Sequence, residues 1–124
     1  MTQFSYLRIP IDADQGFPQA VRISFGRRSY VVSSRVNVTE ESLLLGHDPL
    51  RLPQRGAFLV VEVSAEEATG SRMLFRRKVV PNLEYQAEEL ALLFTDLRVH
   101  PLNLNSAGAH GSSVVGGIAS RWDS

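Results

Sequence analysis

Apolar and polar residues alternate over much of the chain with the two-residue period of strands that bury one face. From Gln19 to Phe25, Val21, Ile23 and Phe25 fall on one side while Arg22 and Ser24 fall on the other. A second run sets Tyr30, Val32, Val36 and Val38 against Ser29, Ser33, Arg35 and Asn37. The link between them, Gly26-Arg27-Arg28, opens on a glycine suited to a tight turn at positive φ. The two runs therefore predict a β-hairpin.

The rest of the chain follows the same grammar with interruptions. Residues 4–11 (Phe-Ser-Tyr-Leu-Arg-Ile-Pro-Ile) predict a short first strand. Pro10 confines it to an edge or an end, because proline has no N–H to give a ladder. Asp12 to Pro18 reads as a turn. Residues 39–56 contain Gly46, Pro49, Pro53 and Gly56 and keep no period. They predict an irregular crossing segment with a helical turn at Thr39 to Leu45, for which Thr39 and Ser42 are candidate caps. A second hairpin is expected from Ala57 to Ser64, a loop through Ala68-Thr69-Gly70-Ser71, and a return from Arg72 to Val80, where Val, Phe and Leu favour strands. Pro81-Asn82 stops it.

Two periods compete between Leu83 and Val99. Glu84, Glu88 and Glu89 with Leu90, Leu93 and Leu97 fit a helix face, whereas Leu92, Phe94 and Leu97 to Val99 fit a strand. The expectation is a short helix or turn over Gln86 to Leu92, then a strand from Leu93 to Val99. Beyond Pro101, Asn, Gly and Ser surround an apolar group of Val114, Val115 and Ile118 that leads to Trp122. This composition predicts a Gly/Ser-rich C-terminal docking tail, 101–124, appended to a β domain over 1–100. The whole predicts a mainly β fold: a small antiparallel β-sandwich or partly open barrel of about six strands with one or two short helical turns.

Composition narrows the chemistry. A chain of 124 residues has room for one core. Its 44% apolar and 21% charged residues are those of a globular domain and not of a disordered one. Thirteen Lys plus Arg balance thirteen Asp plus Glu, which leaves no net field to steer the molecule toward nucleic acid or anionic membrane. Lys78 is the only lysine among those cations, and arginine is the cation that interfaces favour. Absence of cysteine removes disulfides, thiolate-bound metals and thiol catalysis. No stretch approaches the roughly 18 apolar residues of a membrane span, and Met1 to Pro10 lacks the order of a signal peptide, so synthesis in the cytoplasm is expected. Asn37-Val38-Thr39 then reads as a chance glycosylation sequon.

No catalytic, metal or cofactor site emerges. Gly111-Ser-Ser-Val-Val-Gly116 has the outline of a phosphate-binding loop but lacks the Lys and Ser or Thr that should follow the second glycine. Asp12-Ala-Asp14-Gln-Gly16 begins like a calcium loop but has Ile23 where the bidentate carboxylate belongs. His47-Asp48, His100 and His110 lack helical ligand spacing, and Ser112 has no nucleophile elbow. Arg76-Arg77-Lys78 beside Phe75, and Arg27-Arg28 beside Tyr30, are the local basic and aromatic sites that a nucleic-acid-binding barrel would use. Alternation divides the first of these, with Arg76 and Lys78 on one face and Arg77 on the other. Candidate partner contacts are therefore Trp122, Val114, Val115 and Ile118 in the tail, with Arg76 and Lys78 on the strand.

The order of these features resembles a known family. Arg8-Ile-Pro10, an acidic turn and Phe17; a hairpin from Arg28-Ser-Tyr30 to Arg35-Val-Asn37; Phe58-Leu-Val-Val-Glu-Val with a turn at Gly70; and Met73-Leu-Phe-Arg-Arg-Lys-Val-Val-Pro81-Asn-Leu are together similar to the small baseplate plug proteins of bacteriophage tails and related injection machines. The similarity covers residues 6–85. It departs where the family has Trp at the place of Phe58 and a shorter segment at Thr39 to Gly56, and nothing after Pro101 matches. The resemblance implies a non-enzymatic structural subunit, made in the host cytoplasm and located in the virion at the tail tip or baseplate. It also implies that its partners are other structural proteins. The alternative from a different class is an Arg-rich nucleic-acid-binding small β-barrel, and a small enzyme or ligand-binding barrel stands third.

Overall fold

The computed structural model describes residues 6–121. The first hairpin forms where the alternation sets it: β2 (Gln19–Phe25) and β3 (Arg28–Val38) pair antiparallel through a two-residue turn in which Gly26 and Arg27 have φ of 60° and 65°. Such left-handed turns match the twist of the flanking strands, and glycine reaches that region without steric cost. β5 (Ala57–Glu67) and β6 (Gly70–Val79) make the second hairpin, and the four strands form one sheet in the order β2-β3-β5-β6. β6 is an edge strand, and Arg72, Arg76, Arg77 and Lys78 are exposed along it, with a register shift beside Ser64. Charge and irregularity of this kind discourage edge pairing.

The second sheet differs most from expectation. No helix forms over Gln86 to Leu92: β7 (Glu84–Ala87) and β8 (Leu90–Val99) are a third hairpin turning at Glu88-Glu89. Tyr85, Ala87, Leu90, Leu92 and Phe94 are buried in alternation, and this two-residue period outweighs the helical spacing of the glutamates, which stand exposed or at the turn. The C-terminal segment is likewise no appended tail. After a 3-10 turn at Pro101–Asn103, β9 (Ser113–Ser120) runs antiparallel to β8 from Arg98↔Ser113 to Leu90↔Ser120. On its other side β9 pairs β1, which among the described residues is Leu7–Arg8, and β4 (Leu50–Arg51) completes the sheet against Val99 and Arg98. Val114 and Ile118 are fully inside, so the tail docks on its own core.

The fold is thus a small antiparallel β-sandwich with no closed barrel, of nine strands and three 3-10 turns among the described residues. One apolar cluster fills the space between the sheets, with Val32, Leu59, Val61, Val63 and Val79 from the first and Leu90, Leu92, Phe94, Val99 and Ile118 from the second. The helical turn of the crossing segment is present at Glu41–Leu45, but its cap position is Glu40, with no side-chain bond; neither Thr39 nor Ser42 caps it.

Candidate partner-binding surfaces

Strand direction separates the molecule into two unlike ends. At one end lie the three hairpin turns, Gly26-Arg27, Ala68-Thr69 and Glu88-Glu89. Both ends of the described chain emerge there: Leu7 pairs Ile118, and the Arg121 N–H donates to the Glu89 carbonyl at 2.8 Å. At the other end lie the three 3-10 turns, the first being Ala13–Gln15.

The hairpin end is a network of ion pairs. Glu89, on the β7–β8 turn, accepts from Arg28 of β3 at 2.7 Å and from Arg72 of β6 at 3.3 Å, and the Tyr30 hydroxyl donates to it at 3.3 Å. Burial alone would raise its carboxyl pKa. Its own backbone N–H and the two guanidinium groups outweigh burial and hold it below the ordinary range. The same contact pushes the Tyr30 phenol up, first through burial and then through the carboxylate. Arg22 and Glu66 pair at 2.6 Å alongside. Arg76 meets Glu62 at 3.1 Å, Arg98 meets Asp96 at 2.9 Å and Arg55 meets Glu40 at 3.2 Å. Of the two basic sites read from the sequence, Arg28 and Arg76 are thus matched to carboxylates.

The opposite end is held by buried polar groups. Asn103 is fully buried; its amide donates to the carbonyl of Gly108 at 2.9 Å and to those of Asp14 and Ser106 at 3.3 Å, while its Oδ1 accepts from the Ser112 hydroxyl at 2.6 Å. The Asp14 carboxylate accepts from the backbone N–H groups of His110 and Ser112. His100 Nδ1 accepts from the Leu102 N–H, so its Nε2 carries the proton and donates to the His47 carbonyl at 3.0 Å. These bonds fasten the long β8–β9 connection to the first turn. Outside them Leu44, Leu45 and Leu102 stand 46%, 79% and 57% exposed on two turns that pack on one another.

The residues expected to bind partners are scattered. Val114 and Ile118 belong to the core, and Val115 is half-buried opposite Asp96. Trp122 lies outside the described residues. Arg76 and Lys78 share the outer face of β6, where Lys78 sits 4.7 Å from the Phe58 ring centre, and Arg77 on the other face lies over Tyr85. Asp12 caps the first turn through the Asp14 N–H, Ser112 serves the Asn103 network, and no group of three metal-binding side chains occurs among the described residues. Sequence reasoning missed Glu89 and Asn103, whose roles depend on contacts far along the chain. It also missed the leucines, although Ser-Leu-Leu-Leu in an irregular segment was a visible signal. No family model matches the chain, and no curated protein or solved structure is significantly similar to it.

Proposed function

We propose that this protein is a non-enzymatic structural subunit that joins neighbours within a larger assembly. On the resemblance across residues 6–85, that assembly is a phage tail baseplate or a related injection machine. The observation that carries the reading is the exposed leucine group at the 3-10 end. Leu102 sits on a turn fastened by the Asn103 hydrogen bonds, Leu44 and Leu45 sit on the turn packed against it, and exposed apolar side chains grouped at one end of a molecule mark protein contact sites. The ion-paired end, where the described chain begins and ends, supplies the opposite contact. The protein is a joint with two unlike faces, located at the tail tip.

The test is composition of purified particles. Quantitative mass spectrometry should find the chain in particles of the encoding phage or machine at a fixed ratio to tail-tip proteins. A Leu45→Asp, Leu102→Asp double variant should fold but be missing from them. Particles that assemble and function without the chain would overturn the reading.

A further inference from the structure

The first sheet contains an unfinished row. β3 pairs β5 along its length, from Tyr30↔Ala65 to Val38↔Ala57, but β2 accompanies it only as far as Gln19↔Ser34. Pro18, which has no N–H, ends β2 there. Arg35 to Val38 thus have a hydrogen-bonded strand on one side only.

The hydrogen-bond alternation decides which groups are left over. The Thr39 N–H donates to the Gly56 carbonyl at 2.7 Å, so Asn37 and Arg35, two and four residues back, also turn their backbone groups toward β5. Val36 and Val38 must turn theirs the opposite way. Among the described residues nothing bonds them there. Two N–H groups and two carbonyls face outward in line with β2, enough for two fully bonded pairs with an extended chain.

Two further observations lie at the same point. A small pocket of about 170 Å3 sits where β2 stops, lined by Pro18, Ser33, Ser34, Arg35, Val60 and Glu62. Ser34 is only 3% exposed, and its hydroxyl is a buried side-chain polar group with no partner. Arg35 is exposed and takes part in none of the ion pairs among the described residues.

We propose that the open side of β3 at Arg35 to Val38 is an acceptor for an extended segment of a partner protein, which adds as an antiparallel strand end-on to β2. The inference rests on the reading of the chain as a joining subunit and specifies how one partner is held. Cross-strand neighbours share a face, which fixes the segment's pattern. Residues opposite Val38 and Val36 face inward and must be apolar to cover those half-buried valines. The one opposite Asn37 is polar, and the one opposite Arg35 is acidic. In chain direction the segment reads apolar, polar, apolar, acidic. A second copy of this protein pairing about Asn37 would set Thr39 against Arg35, which supplies no carboxylate.

The experiment is an amide NMR titration of the isotope-labelled full chain with acetyl-Thr-Val-Thr-Val-Glu-amide and with the same peptide ending in Lys. The Glu peptide should shift the Val36 and Val38 amide protons downfield and protect them from exchange, and the Lys peptide should bind roughly threefold more weakly, as a cross-strand charge pair implies. Arg35→Glu should reverse that preference. Val36→Pro should abolish binding by either peptide, and the charge reversal keeps the test sound should that variant not fold. Absence of shifts at these amides, or equal affinity of wild type for both peptides, overturns the proposal. So does a dimer of the protein alone that a charge change at Arg35 disrupts. None of these outcomes bears on incorporation into particles, which tests the joint reading separately.

Discussion

Arg28 and Glu89, 61 positions apart in the chain, meet at 2.7 Å and tie the hairpin turn of one sheet to that of the other. Glu89 is 14% exposed at the side chain and also holds Arg72, so one carboxylate spans three strands' ends. Replacing it with Gln should lower stability by about 1–2 kcal/mol, the range for a hydrogen bond to a charged group. The pH dependence has a definite sign. With a folded pKa depressed below the usual value of about 4.3, the carboxylate stabilises the fold above that pH and loses its contribution as pH falls through the depressed value. Urea midpoints measured between about pH 3 and pH 6 should fall less steeply on acidification in Glu89→Gln than in wild type.

Gly116 and Gly117 explain why the C-terminal strand looks like a linker. A Cβ on Gly116 would collide with the Phe94 ring on the core side, and one on Gly117 would lie 2.7 Å from Tyr6 on the outer side. The space that side chains would take is filled by Phe94 on one face and Tyr6 on the other. Gly116→Ala should therefore cost about 1–3 kcal/mol through overpacking, despite the gain in strand propensity. Equilibrium urea unfolding checks this, and an unchanged midpoint would mean that Phe94 swings aside freely.

Asn103 is buried among carbonyls that need its two N–H groups. Asn103→Ala should destabilise by about 2–3 kcal/mol, because three carbonyls and the Ser112 hydroxyl lose a fully buried partner. Asn103→Asp should be worse than Ala: it keeps the shape but replaces the donor with charge facing three carbonyl oxygens. Thermal melts of the two variants rank these effects, and equal melting temperatures would contradict the network account.

The residues that were legible and those that were not differ in a physical way. Ile23, between Arg22 and Ser24, and Val36, between Arg35 and Asn37, declare their strands because each is flanked by polar residues, and the sheet reads them locally. Leu90 to Phe94 is a continuous apolar run in a central strand, where Ala91 on the outer face is buried too, so alternation fades and the glutamates' helical spacing misleads. Val114 and Ile118 were recognised as apolar anchors, but their partner is Phe94's sheet, a pairing that no local pattern encodes. Glu89 is polar like any turn residue until Arg28 and Arg72 are brought to it.

Tyr6 crosses Gly117 and donates to Glu84 Oε2 at 2.6 Å, binding β1 across β9 and β8 to β7. Burial first, then the hydrogen bond and the negative charge of Glu84, raise its phenol pKa well above the ordinary value. An unfolded tyrosine ionises near pH 10, while the folded one keeps its proton, so the native state binds more protons and stability falls as pH rises beyond about 10. Tyr6→Phe removes one such group: the variant should be less stable at neutral pH yet lose stability less steeply in alkali. Tyr30, also raised, keeps part of the decline in both proteins. Tyrosinate absorbance followed through alkaline unfolding provides the measurement. In wild type the Tyr6 signal should appear only with unfolding, and early ionisation of Tyr6 in the folded protein would refute the bond to Glu84.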